Sequence, residues 1–253
     1  MQVELKEALE YLDEFSNTLA NEATVYWKYH KKRFEWTSQL VAELAQKLSR
    51  SGNPVKKFLD IGNAYQTMIF DRLFPDAQID TLGFFDERYA TSRQTVHIAF
   101  DLNDTYDREK WPCRAEKYDI IVMMEVIEHL YTSPKLVFAF LNEMLQDHGF
   151  LLIQTPNAVS LSKRLKMCIG RNPFELIRET RSNPGHFREY TKKEMRQLAE
   201  SAGLVVCESY MLNYFNDKSL LSRISSILPG TLRSGICHVL KKSSASNLSL
   251  AER

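Results

Sequence analysis

The chain is poor in glycine and cysteine and carries almost no net charge. Nine glycines in 253 residues leave few places where the backbone can turn left-handed or let a ligand approach closely. The four cysteines, Cys113, Cys168, Cys207 and Cys237, form no CxxC pair and have no histidine at metal-ligand spacing. That pattern predicts a reduced, cytoplasmic protein with no structural zinc and no metal site. Lys and Arg number 33 against 32 Asp and Glu, so a formal charge of +1 supplies no overall field to recruit nucleic acid or an acidic partner. No apolar run approaches the roughly eighteen residues of a membrane-spanning helix. Residues Met1–Glu10 are acidic and amphipathic and lack the basic start and apolar centre of a secretory signal.

What is present is an ordered alternation. From residue 3 to about 50, Leu5, Leu9, Leu12, Phe15 and Leu19, then Phe34, Leu40, Val41, Leu44 and Leu48, recur at helical spacing and predict a helical extension over 1–52. Ser51-Gly52-Asn53-Pro54 ends it. Short apolar strands then follow at Lys57–Ile61, Gln78–Phe84, Val96–Asp101, Tyr118–Met124, Phe150–Thr155, Val205–Met211 and Ile236–Leu240. Helical stretches stand between several of them, at Gln66–Phe74, Pro134–Gln146 and Lys192–Ala202. Nearly continuous apolar strands alternating with helices imply an α/β domain over 53–242, with a mostly parallel sheet covered on both faces. Two segments, near 160–184 and 216–230, fit as additions above the sheet, where such elements shape a substrate pocket. The small polar tail 243–253 reads as disordered.

The chemistry-bearing residues lie where strands end. Asp60-Ile61-Gly62-Asn63-Ala64-Tyr65-Gln66 closes the first strand and opens a helix, beside the point where open α/β sheets bind ligands; an ordinary strand–turn–helix has the same pattern. Asp86, with Glu87 next to it, ends the second strand, where an acid can hold ribose hydroxyls or simply stand in a loop. Asp101-Leu102-Asn103 follows the third, at the position of an adenine contact or of a polar turn. The fourth strand ends abruptly in Glu125-Val126-Ile127-Glu128-His129.

The segment Tyr118–Leu130 resembles the aromatic–Asp–apolar-run–Glu-Val-Ile-Glu-His signature of class I S-adenosylmethionine-dependent methyltransferases, especially those acting on small molecules. Gly149–Asn157 resembles the family's fifth strand, and Gly185–Thr191 with Glu194 and Ala202-Gly203-Leu204 resembles its following element, with Thr191 and Glu194 as a capping box. The resemblance spans about residues 55–210. It implies a Rossmann-like, seven-stranded fold and S-adenosylmethionine as cofactor. It further implies that Asp60, Gly62 and Ala64 belong to the cofactor loop, that Asp86 holds the ribose, that Asp101 and Leu102 frame the adenine, and that Glu125 and Val126 line the methionine side. His129 and His186 are the candidate bases facing a small-molecule, saccharide or lipid-linked acceptor.

The family pattern has three glycines where this chain has Gly62, Ala64 and Gln66. A Cβ at position 64 costs most if φ is positive there. The alternative is therefore a non-catalytic, methyltransferase-like scaffold. A nicotinamide-dependent enzyme is disfavoured by the missing G-x-G-x-x-G. The stripe Tyr26, Tyr29, His30, Arg33 reads as a lid or as a helix packed on the sheet, and Arg188 as a substrate anchor or a partner of Glu189 or Glu194. The stripe Leu220–Leu228 reads as a cap helix or a contact with a membrane surface.

Overall fold

The computed structural model describes residues 2–19, 21–91, 96–112, 117–180, 184–215 and 219–243. Cys113, Arg181, Asn216–Lys218 and the tail from Ala245 onward, with Ser244, lie outside the described residues.

Seven strands make one sheet: β1 Lys57–Ile61, β2 Gln78–Leu82, β3 His97–Ile98, β4 Tyr118–Met124, β5 Leu145–Pro156, β6 Leu204–Leu212 and β7 Gly235–Lys242. Their spatial order is β3-β2-β1-β4-β5-β7-β6. The pairs among β1 to β5 are parallel, and β7 runs antiparallel between β5 and β6. The helices are α1 Gln2–Thr18, α2 Asn21–Arg50, α3 Tyr65–Leu73, α4 Pro134–Met144, α5 Leu161–Cys168, α6 Lys192–Glu200 and α7 Leu220–Ile227.

Period-two alternation divides the core. Leu59, Ile61, Ile121 and Met123 face a cluster with Val137, Phe138 and Leu141 of α4 and Met195 of α6. Phe58, Ile120, Val122 and Leu152 face the other way, against Leu40, Val41, Leu44 and Leu48 of α2. The second half of α2 is thus a sheet-covering helix. A third cluster joins Leu5, Leu9 and Leu12 of α1 and Trp27 and Phe34 of α2 to Tyr65, Met68 and Ile69 of α3.

Three boundaries differ from the sequence-based expectation. The N-terminal helix is two helices. Near the break the side chains of Ser16 and Asn17 bond back to the Asp13 carbonyl, at 3.0 and 2.8 Å, and Thr18 to Phe15 at 2.8 Å. Such bonds compete with helix propagation. Strand β3 shrinks to two residues, because Asp101 turns to cap the next 3-10 turn, Leu102–Tyr106. Strand β5 starts at Leu145, immediately after α4, with a register shift against β4. There Gly149 is required by contact: a Cβ on it would lie 2.8 Å from the Asp119 carbonyl oxygen. The capping box of α6 forms as expected: Thr191 Oγ1 accepts from the Glu194 N–H, and the Glu194 carboxylate accepts from the Thr191 N–H.

Candidate functional site

The carboxyl ends of β1, β2 and β4, with the turn after β3, converge on a cavity of about 540 Å³. It lies at the switch point where the chain passes from β1 outward to β2 on one side and to β4 on the other. Gly62, Asp101, Leu102, Glu125, Val126 and His129 all line it. Asp60, Ala64, Asp86 and His186 do not.

Gly62 forms the floor. Its φ of +79° requires glycine, and its N–H donates to the Leu82 carbonyl at 2.8 Å. Space is not the constraint, since an added Cβ would come no nearer than 3.9 Å to Val126. The two replaced glycines do not obstruct this floor. Ala64 has φ −157°, extended backbone that any residue adopts, and precedes the first turn of α3. Tyr65 and Gln66 turn away towards the N-terminal helices: the Tyr65 hydroxyl donates to the Ala23 carbonyl at 3.1 Å, and Gln66 Nε2 donates to Ser38 Oγ at 2.8 Å. Asp60 sits beneath, fully buried, accepting from Thr67 Oγ1 at 2.6 Å. Burial pushes its carboxyl up to about 7, against the opposing hydrogen bond from Thr67 and the charge of Arg33.

Asp86 meets Asn63 through its backbone, in both directions, at 2.9 and 2.7 Å. Its carboxylate is held by the Arg88 side chain and held below the usual carboxylate range, first by that bond. Asp101 accepts from the Asn103 N–H at 2.9 Å, and Asn103 Oδ1 accepts from the Tyr131 N–H at 2.8 Å, which pins the β3 turn to the β4 turn.

Glu125 has φ +54°, the one non-glycine positive φ among the described residues. Strain of this kind persists where the surroundings fix it. Here its N–H donates to the Gln154 carbonyl at 2.9 Å and its carboxyl accepts from the Tyr214 hydroxyl at 2.6 Å. Burial raises its pKa, opposed by the Arg33 charge. Glu128, wholly buried, is raised further, by burial and then by Glu125. His129 Nδ1 donates to the Gly185 carbonyl at 2.8 Å, which leaves the lone pair on Nε2. His186 packs edge-on behind it with ring centroids 4.8 Å apart, and its Nδ1 meets Glu189 Oε1 at 3.0 Å. Burial, then the neighbouring His129, lowers His186 to about 4. Lys163 is drawn down to about 8 by burial, and pairs with Glu189. Arg188 pairs with Glu194 at 2.8 Å.

Arg33 is the functional candidate that sequence reading left inside a stripe. It is fully buried, its charge bears on Glu125 and Asp60, and its Nη2 donates to the Tyr26 hydroxyl at 3.1 Å. Its Nε and Nη1 have no hydrogen-bond partner among the described residues. The available signal was an arginine at the helical spacing of an otherwise aromatic face.

Residues 29–209 match the family described as a methyltransferase domain. A probable S-adenosylmethionine-dependent methyltransferase of Mycolicibacterium smegmatis is 32% identical over 88 residues, a match covering 35% of this chain and 29% of that protein. The fold is similar to an S-adenosylmethionine-dependent methyltransferase from Clostridium acetobutylicum, with TM-score 0.57, 13% identity, and coverage of 88% of this chain and 98% of that one. A methyltransferase-like structure from Thermobifida fusca gives TM-score 0.53 at 16% identity, covering 81% of this chain and 79% of that one. No helix among the described residues is long and apolar enough to cross a membrane.

Proposed function

Because the chain belongs to the methyltransferase-domain family, we propose that it transfers a methyl group from S-adenosylmethionine to a small-molecule, saccharide or lipid-linked acceptor. The observation that carries this reading is the open floor at the switch point: Gly62 keeps its left-handed turn, and both replaced glycines leave the cavity clear.

The residues present fit the cofactor. Gly62 would lie under its methionine part, with Glu125 and Val126 alongside. Arg33, a buried guanidinium with two nitrogens lacking partners, suits the methionine carboxylate. Asp101 and Leu102 would frame the adenine. When bound, the cofactor would supply an electrophilic methyl carbon to the acceptor. The protein then has to align the acceptor and receive its proton. His129 lines the cavity with Nε2 free to accept, and we assign it that task. His186, behind it, positions it. Phe84, Ile177 and Phe187 line the mouth, and Ile177 is more than half exposed, which suits an acceptor with an apolar body.

One observation favours a scaffold without catalysis: the Asp86 carboxylate is occupied by Arg88 rather than turned to the cavity. Calorimetric titration of the full chain with S-adenosylmethionine and S-adenosylhomocysteine separates the two. Micromolar binding is expected. A folded sample that binds neither at millimolar concentration would overturn the catalytic reading.

A further inference from the structure

Glu128, His129 and His186 bring one oxygen and two nitrogens within 4.8 Å of one another beside the cavity, which His129 alone of the three lines. Glu128 and His129 come from the turn after β4, and His186 from the loop before α6, far along the chain. Spacing in the sequence therefore hides the set.

The carboxylate is the first reason to read a ligand set here. Glu128 is 0% exposed, and only its Oε2 has a donor, the Thr155 hydroxyl at 3.1 Å. Its Oε1 is buried without a hydrogen-bond partner among the described residues, 3.9 Å from His129 Nε2. A buried carboxyl oxygen that no donor satisfies is costly, and either a proton or a cation relieves it. The imidazoles are the second reason. His129 gives Nδ1–H to a backbone carbonyl, and the Nδ1 of His186 faces the Glu189 carboxylate. These are the two usual outer partners of a metal-bound histidine, and both leave Nε2 as the ligand nitrogen. The neighbouring Lys163 does not oppose a cation unaided, because it is paired with Glu189 and bonded to the Asn157 carbonyl at 3.2 Å. Metal–ligand bonds of about 2.1 Å place ligand atoms roughly 3 to 4 Å apart, so the widest pair of the set needs to contract by about 1 to 2 Å.

We propose that Glu128, His129 and His186 bind a divalent transition ion of the zinc, iron or manganese class, reached from the cavity on the side of His129, which lines it. Two imidazoles and one carboxylate suit such ions better than magnesium or calcium. An ion there selects an acceptor that presents a hydroxyl, since a coordinated oxygen loses its proton more readily than a free one. On the methyl-transfer reading, on which this rests, His129 Nε2 is then a ligand in place of the base assigned above. The hydroxyl proton passes to water at the open mouth, and the oxygen's lone pair remains to attack.

The test is titration of chelator-stripped full chain with cobalt(II) alone, followed by calorimetry and visible absorption. One equivalent with ligand-field bands is expected. His186→Gln and His129→Gln should each weaken binding at least tenfold, while His148→Gln, at the opposite end of the sheet, should not change it. Circular dichroism of each variant reports folding. No saturable binding by the wild type, or unchanged affinity in both folded ligand variants, would overturn the site. S-adenosylhomocysteine binding without cobalt binding removes the metal site alone; cobalt binding without S-adenosylhomocysteine binding supports the metal site and removes the cofactor reading.

Discussion

Asp60 places an acid where water does not reach, and the consequence is a pH dependence of defined sign. Burial raises its carboxyl to about 7 from an ordinary 3.8, with Thr67 and Arg33 opposing the rise. Between those values the folded protein holds a proton that the unfolded chain has released. Stability therefore falls as pH rises through this window, and the full cost is present above it. Asp60→Asn removes the ionisation and keeps an acceptor for Thr67 Oγ1. Relative to wild type, the variant should gain up to about 1.4 kcal/mol per pH unit across the window. Urea unfolding at pH 5 and pH 8 measures this. A gap between the two proteins that stays constant with pH would show that Asp60 titrates normally.

At the scale of elements, the segment from Gly62 into the first turn of α3 does two jobs. Gly62 shapes the cavity floor, while Tyr65 and Gln66 fasten α3 to α2. Trp27, wholly buried, lies 4.9 Å from the Tyr65 ring, and Gln66 bonds Ser38 from a buried position. Restoring a glycine with Gln66→Gly should therefore cost about 1–3 kcal/mol in a denaturant titration, through a lost buried hydrogen bond and helix propensity. Affinity for S-adenosylhomocysteine should stay within about twofold, because position 66 faces the helices and a change under twofold is below ~0.4 kcal/mol. Tighter binding with unchanged stability would mean that the side chain reaches the cofactor space.

This division also shows what the sequence could reveal. Strand β4 was legible because an unbroken apolar run ends in charged residues, and the α6 cap because Thr191 and Glu194 stand at capping-box spacing. The break between α1 and α2 was not, since it depends on backward side-chain bonds within a continuous helical pattern. Asp86 was legible as an acid at a strand end but not as the partner of Arg88, a competition decided by local geometry. His186 was legible as a candidate base; its position behind His129 depends on how the loop before α6 folds back, which spacing does not encode.

For the whole molecule, Arg33 does not line the cavity but brings a charge from the N-terminal helices to bear on Glu125, which does. A buried arginine with two nitrogens lacking partners stabilises little, and an apolar residue of similar length is often tolerated in such a place. Its value on the proposed reading appears only when the methionine carboxylate arrives, and binding then joins α2 to the ends of β1 and β4. Ligand at a hundred times its dissociation constant adds about 2.7 kcal/mol of stability, which for a chain of this size is a rise in Tm of roughly 5–10 °C. Arg33→Met should leave the Tm of the free protein within a few degrees of wild type or above it, and should lower affinity for S-adenosylhomocysteine at least tenfold, so that the rise falls to about half or less at the same ligand concentration. A charge that served packing alone would give the opposite split, with a lower Tm for the free protein and an undiminished rise on binding. Thermal unfolding of both proteins with and without ligand distinguishes the two, because a structural arginine and a ligand-binding one change different curves.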